Sequence, residues 1–177
     1  MSAPEGYRIR LAREGELPLV QFIEADSARL FAPYGLAELF GSLVTPTATL
    51  RDGLERGHLF VAATLDDDAP IGFALLSRID DHAHLDELDV LPEHGRRGVG
   101  RALVEHVCRV AAREGQPRIT LSTLRSIPWN APFYAKLGFT EIAAESLTAA
   151  LRAILGHERE GGFPMDERVM MERPLTR

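Results

Sequence analysis

The chain has 177 residues, 45% of them hydrophobic and 26% charged, and a formal charge of −6. That length suits one compact domain spanning residues 1–177, and that composition is that of a globular protein rather than a disordered or membrane one. No apolar run is long enough to span a bilayer, and the acidic balance argues against nucleic acid as the main partner.

The opening MSAPEGYRIR has no apolar stretch behind a basic start, so a cytoplasmic protein with no membrane partner is expected. Residues 7–11 alternate as an opening strand. Residues 14–30 carry Leu17, Val20, Phe22, Ile23, Ala28 and Leu30 at roughly helical spacing and predict a first helix. Pro33 and Gly35 break the pattern around Tyr34, and residues 36–43 and 47–56 form a second helical stretch interrupted by Pro46. Residues 58–65, 71–78 and 84–90 read as an antiparallel meander, turned at residues 66–70 and at Asp80 and Asp81. Pro92 and Glu93 lead into a glycine and arginine knot. A helix follows with Val99, Leu103, Val107, Val110 and Ala111 on one face, ending at Gly115. Its one cysteine, Cys108, reads as a buried structural thiol rather than a nucleophile.

Residues 118–124 make the next strand, parallel to its predecessor if the helix is a crossover. Asn130 is placed to N-cap a short helix through Leu137, with Gly138 just past its end. Residues 139–144 predict a strand, 147–155 a helix and 168–172 a last strand.

Charge is distributed unevenly. Residues 66–93 hold nine acids against Arg78, whereas residues 94–118 hold six arginines against Glu105 and Glu114. The first half of this centre would repel a phosphate and the second would attract one. A strand that enters a helix through Gly98 and Gly100 also turns backbone N–H groups toward the positive end of that helix, which suits an anion. A dinucleotide fingerprint is excluded, because Leu103 stands where its third glycine belongs and the next strand, RITLSTL, has no acid. No Gly-Lys-Ser/Thr of a phosphate-binding P-loop is present either.

With those eliminated, the order of elements resembles the GNAT superfamily of acetyl-CoA-dependent N-acetyltransferases. Its signature of Gln or Arg, two residues, Gly, one residue, and Gly or Ala lies between a strand and its crossover helix. Gly98 and Gly100 match the two small positions; Gly95 stands at the Gln/Arg position, with Arg96 one step later. A second segment, NAPFYAKLGF from Asn130 to Phe139, resembles the family's Asn, Phe-Tyr and Gly-Phe sequence. The resemblance covers about the last two thirds of such a domain. It implies a mixed α/β fold in which a mostly antiparallel sheet, flanked by helices, contains a splayed parallel strand pair at residues 85–90 and 118–124. Acetyl-CoA is then the co-substrate, its pyrophosphate held by Arg96, Arg97, Gly98, Val99, Gly100 and Arg101. Its pantetheine pairs with the backbone of Leu88, Asp89 and Val90, and Asn130 and Phe133 touch it as well.

The same resemblance puts Tyr134 near the thioester sulfur as general acid, and a phenol with a pKa of about 10 can protonate a departing thiolate. An amine acceptor arrives as an ammonium and needs a base. His84, in AHLDELDV, is similar to histidines on this strand in arylalkylamine acetyltransferases and could titrate near pH 6.5; Glu87 is the second choice. Alternation puts Asp86, a candidate for holding the ammonium, on His84's face and Glu87 on the other, unless a bulge shifts them. His82 reads as a turn residue. Glu24 and Asp26 either draw a cationic acceptor or form a solvated acidic face, and Trp129 either packs in a loop or walls a groove. No third ligand joins the histidines, and this chemistry needs no metal.

The expected function is therefore direct transfer of acetyl from acetyl-CoA to a primary amine of a small molecule or peptide, in a ternary complex. Backbone N–H groups near Leu88 would stabilise the developing oxyanion. The alternatives are a non-catalytic acyl-CoA sensor and a transferase for a longer acyl group. Dimerisation is common in the family, and the sequence leaves both a homodimer and the acceptor's identity open.

Overall fold

The structure is a computed structural model that describes residues 3–176. The fold is mixed α/β, with a mostly antiparallel seven-stranded sheet in the order β1-β2-β3-β4-β5-β7-β6 and helices between the strands. The chain groups into two compact units, residues 3–77 with Glu87–Arg109, and Arg78–Asp86 with residues 110–176.

The first unit opens with β1 (Tyr7–Leu11), followed by α1 (Leu17–Ser27), α2 (Ala37–Ser42) and α3 (Thr47–Glu55). β1 pairs antiparallel with β2 (Leu59–Thr64), Tyr7 opposite Thr64, and β2 pairs antiparallel with β3 (Pro70–Ile79), Val61 opposite Phe73. β2 lacks a polar alternation because both its faces are covered: Leu59 through Ala63 are all buried. Arg10 on β1 holds Glu16 through two N–H bonds of 2.9 and 2.6 Å, and also reaches Asp68 in the β2–β3 turn at 2.9 Å. That bond from Arg10 is the main reason the Asp68 carboxyl falls to about 2. α1 buries Leu17, Val20 and Ile23, and the same stripe carries Glu24 and Ser27 into the interior.

β4 (His82–Val90) contributes its first five residues to the second unit and its last four to the first; α4 (Val99–Arg113) is likewise shared. In the second unit β4 pairs parallel with β5 (Arg118–Leu124), Ala83 opposite Ile119 and His84 opposite Thr120. After α5 (Ala131–Ala135), the short β6 (Thr140–Glu141) and α6 (Ala149–Glu160), β7 (Arg168–Pro174) returns antiparallel to β5, Leu121 opposite Met171. Leu147, Leu151 and Met170 form a small core there with Ile79, Ile142, Ile154 and Leu155.

Most predicted strands match within two residues, and three elements differ. The break at residues 31–35 is a continuation of helical turns: a 3-10 segment runs Ala28–Tyr34 and stops at left-handed Gly35, with Phe31 stacked on Phe40 at 4.2 Å. The strand expected over residues 139–144 is only two residues long, because Phe139 is drawn into the core instead. α6 does not stop at Leu155 but continues through Gly156 to Glu160, its start capped by Thr148 Oγ1, which accepts the Leu151 N–H. Among the described residues no helix is long and apolar enough to cross a membrane.

Gly72 on β3 is where two strands come closest. A Cβ there would lie 2.8 Å from the Asp89 carbonyl oxygen and 3.0 Å from Val90 Cγ2. Gly72→Ala should therefore push the end of β4 outward and cost about 1–3 kcal/mol of stability, measured by chemical denaturation.

Candidate active site

In the first unit, β4 ends at Val90 and the Leu91 N–H bonds back to the Ile71 carbonyl at 2.9 Å. A 3-10 turn, Pro92–His94, carries the chain to Gly95, whose N–H bonds to the Pro92 carbonyl at 3.0 Å. Arg96 and Gly98 then both take left-handed backbone, φ 57° and 83°, immediately before α4 begins. The first N–H groups of a helix have no intrahelical partner, so this bend leaves several of them at the positive end of a 15-residue helix. Val99 is buried and anchors the helix, whereas Arg96, Arg97 and Arg101 are all exposed around the bend. Arg97 is occupied: one of its guanidinium N–H groups donates to the Tyr7 phenol oxygen at 3.2 Å. The bend fits a pyrophosphate by backbone donors and flanking charge.

The same unit holds a linked set of carboxyls. Glu24 is 6% exposed and accepts from the Thr45 N–H at 3.0 and 2.9 Å and from the Thr45 hydroxyl at 2.9 Å; burial raises its pKa against those bonds. One turn on, Ser27 Oγ lies 2.8 Å from the Glu24 carbonyl oxygen and 2.5 Å from Asp89 Oδ1. A hydroxyl has one hydrogen, so it cannot donate to both. Donated to Asp89, that hydrogen favours the charged carboxylate. Burial pushes the Asp89 carboxyl up to about 7, with the charge of Glu24 adding to it and hydrogen bonds from Ser27 and Glu87 opposing it. Glu87 and Asp89 are thus a pair of carboxyls two residues apart on β4, Glu87 opposing the rise at Asp89.

In the second unit His84 is 4% exposed, and its Nδ1 lies 2.7 Å from Thr120 Oγ1. With the proton on Nδ1, the imidazole donates to Thr120 while Thr120 donates to the Ala83 carbonyl at 3.5 Å, and Nε2 is left as an acceptor. His84 and Asp86 line a cavity of about 440 Å³ together with Ser122, Ile154, His157 and Glu158. Glu158 accepts from Arg168 at 2.5 and 3.0 Å and from Ser122 at 2.9 Å, which fixes α6 over β5 and β7. Tyr134 is 7% exposed, its ring held edge-on by Phe133 at 5.1 Å and Phe139 at 5.6 Å. The Asn130 carbonyl starts α5 by accepting the Phe133 and Tyr134 N–H groups at 2.9 and 3.0 Å. Its side chain does not cap, however: Asn130 Oδ1 is buried with no hydrogen-bond partner among the described residues. A buried acceptor without a donor is costly, and an amide N–H such as those of pantetheine is the group it would satisfy.

The predicted residues therefore divide between the units. Glu87, Leu88, Asp89, Val90 and the bend from Arg96 to Arg101 lie in the first; His84, Asn130, Phe133 and Tyr134 lie in the second. His84 and Asp86 share a cavity wall, as alternation required. The pKa near 6.5 expected for His84 is corrected: burial, with the charges of His82 and Arg168 adding, pushes it down to about 4. His82 is not a turn residue but is fully buried in β4, Nδ1 3.4 Å from Asp81. Glu24 neither faces solvent nor is open to a cation, and Asp26 is paired with Arg29 at 2.5 Å. Sequence reasoning missed the side-chain role of Asp89 and the α6 residues His157 and Glu158. Polar Glu24 and Ser27 within the apolar stripe of α1 were the signal for the former; Gly156, read as a stop, hid the latter.

Residues 25–139 match the model of the acetyltransferase (GNAT) family. The chain is similar to the peptidyl-lysine N-acetyltransferase YjaB of Salmonella typhimurium, 35% identical over 88 residues, which are 50% of this chain and 54% of that protein. It thus spans about half the length of that curated relative. Among solved structures, the fold is similar to the PaiA N-acetyltransferase of Thermoplasma acidophilum in complex with coenzyme A, TM-score 0.66, 18% identical, covering 95% of this chain and 98% of that one. It is also similar to Rv2747 of Mycobacterium tuberculosis in complex with CoA and NLQ, TM-score 0.71, 19% identical, covering 95% and 99%. With more than half of its residues matched to the family model on a fold of the same kind, the chain belongs to the GNAT acetyltransferase family.

Proposed function

We propose that the protein transfers acetyl from acetyl-CoA directly to a primary amine, with a peptide lysine as the first acceptor class to test. The observation that carries the reading is the buried Asp89 carboxyl of the Glu87–Asp89 pair: a proton affinity near neutrality is what an ammonium needs in a base, and the Ser27 hydroxyl fixes that carboxyl in place. Acetyl-CoA supplies the activated thioester. In the first unit, backbone N–H groups from Arg96 to Arg101 would hold its pyrophosphate and the backbone of Leu88, Asp89 and Val90 would pair with its pantetheine; in the second, Asn130 Oδ1 and Phe133 are groups that suit the cofactor. The relative's name supplies the lysine, and exposed Asp86 is a carboxylate suited to the cationic side of such an acceptor.

The carboxyl pair takes one proton from the acceptor ammonium and passes it to solvent; after attack on the thioester carbonyl the nitrogen loses a second, which restores the Tyr134 phenol once that phenol has protonated the departing thiolate, so one proton is released to solvent for each amide formed. His84, neutral at physiological pH, acts as an acceptor that orients the amine through Nε2 rather than as the base.

A thiol-release assay with acetyl-CoA against lysine peptides and small amines tests the function; release with an acylated product supports it, and CoA binding without release from any amine favours a sensing role. Tyr134→Phe should lower kcat by about 10- to 100-fold with little change in CoA affinity. Asp89→Asn should lower kcat/KM by about 10²- to 10³-fold and abolish the rise of activity with pH that the pair produces around pH 7, read from a pH–rate profile. For His84 the readout is stability. Because its folded pKa of about 4 lies below the ordinary value of 6.5, the unfolded chain takes up a proton first as pH falls, and stability is lost between those two values. Denaturation at pH 7 and pH 4 should show a loss of about 2–3 kcal/mol in the wild type that His84→Gln does not share.

A further inference from the structure

We propose that Tyr7 is a positioning residue for the pyrophosphate cradle, an inference that rests on the acetyl-CoA reading above. Tyr7 opens β1 and is buried in the unit that holds the cradle. Its phenol oxygen lies 2.8 Å from His94 Nδ1 and accepts an N–H from Arg97 at 3.2 Å; the Tyr7 and His94 rings meet edge to face at 5.7 Å. A phenol carries one hydrogen and can accept, so donating to His94 while accepting from Arg97 satisfies it in both roles.

His94 and Arg97 are the two ends of the tetrapeptide that contains Gly95 and left-handed Arg96. L-residues rarely adopt that backbone unaided, so the surroundings must hold it. One phenol oxygen ties both ends of the turn to β1, which is itself fixed by pairing with β2 at Thr64. The segment entering β1 adds a second brace: the Tyr7 N–H bonds to the Pro4 carbonyl at 3.1 Å, and Pro4 Cγ lies 3.5 Å from where a Cβ on Gly98 would stand. The consequence is a division of labour among the arginines. All three are exposed, but Arg97 is tied to Tyr7, which leaves Arg96 and Arg101 to meet phosphate oxygens. A turn already bent in the absence of ligand loses less freedom when the anion arrives.

The test is binding of CoA and of pantetheine, which lacks the pyrophosphate, by calorimetry and ligand-observed NMR on the full chain. Tyr7→Phe keeps the ring and removes the oxygen. It should weaken CoA about tenfold and pantetheine less than about twofold, so that the ratio of the two affinities collapses. His94→Leu should do the same, while His94→Asn, which offers an acceptor near the Nδ1 position, should recover most of the ratio. A general loss of structure would weaken both ligands together and leave the ratio unchanged, and that result, like an unchanged CoA affinity in both Tyr7→Phe and His94→Leu, overturns the inference. If the wild type itself binds CoA no more tightly than pantetheine, the cradle reading falls and the role of Tyr7 falls with it.

Discussion

A single hydroxyl hydrogen, that of Ser27, governs the chemistry of the first unit. Two oxygens, the Glu24 carbonyl and Asp89 Oδ1, both stand within hydrogen-bonding distance of Ser27 Oγ, and only one can receive its hydrogen. Given to Asp89, that hydrogen favours the charged carboxylate, against the burial that favours the neutral one. Burial outweighs it and pushes the Asp89 carboxyl up to about 7, with hydrogen bonding from Glu87 also opposing the rise. The stripe of α1 that brings Glu24 and Ser27 inward with Leu17, Val20 and Ile23 is thus more than a packing face. It also brings a hydrogen bond from Ser27 and the charge of Glu24, acting in opposite senses, to bear on a carboxyl on β4.

β4 is the element through which this matters. Its first residues belong to the parallel ladder with β5 and present His84 and Asp86 to a cavity roofed by α6; its last residues carry the carboxyl pair and lead through the bend into α4. Two histidines and three acids in nine residues would be poor material for an ordinary strand. They are tolerated because each side chain has a distinct environment, from the dry contact of His84 with Thr120 to the network at Asp89. The close approach of β3 at Gly72 has the same logic, since a side chain there would displace the Asp89 carbonyl.

Much of this was legible in the sequence. RITLSTL could be bounded to the residue because its β-branched run lies between Gly115 and Pro128, and the helix from Val99 announced itself by apolar spacing and by glycines at its start. The family resemblance rested on Gly98, Gly100 and the Asn130 to Phe139 segment, and the family match spans both. What could not be read was the environment of individual side chains. The depression of His84 and the elevation of Asp89 arise from burial by elements 36 and 62 residues distant along the chain, a separation no local pattern reports. Asn130 looked like an ordinary cap because sequence shows residue type and not the direction of Oδ1. α6 was cut short because Gly156 is a poor helix residue, and the Arg168–Glu158 pair that sustains the extra turn joins positions ten apart across a loop.

The most direct measurement is a titration of the Asp89 side-chain carboxyl by carbon-13 NMR, in the wild type and in Ser27→Ala. The account predicts a midpoint near 7 in the wild type, raised further in Ser27→Ala, where the hydrogen bond to the carboxylate is lost while the burial remains. A midpoint near 4 in the wild type, the value of an ordinary aspartate, would contradict it and remove Asp89 from the base.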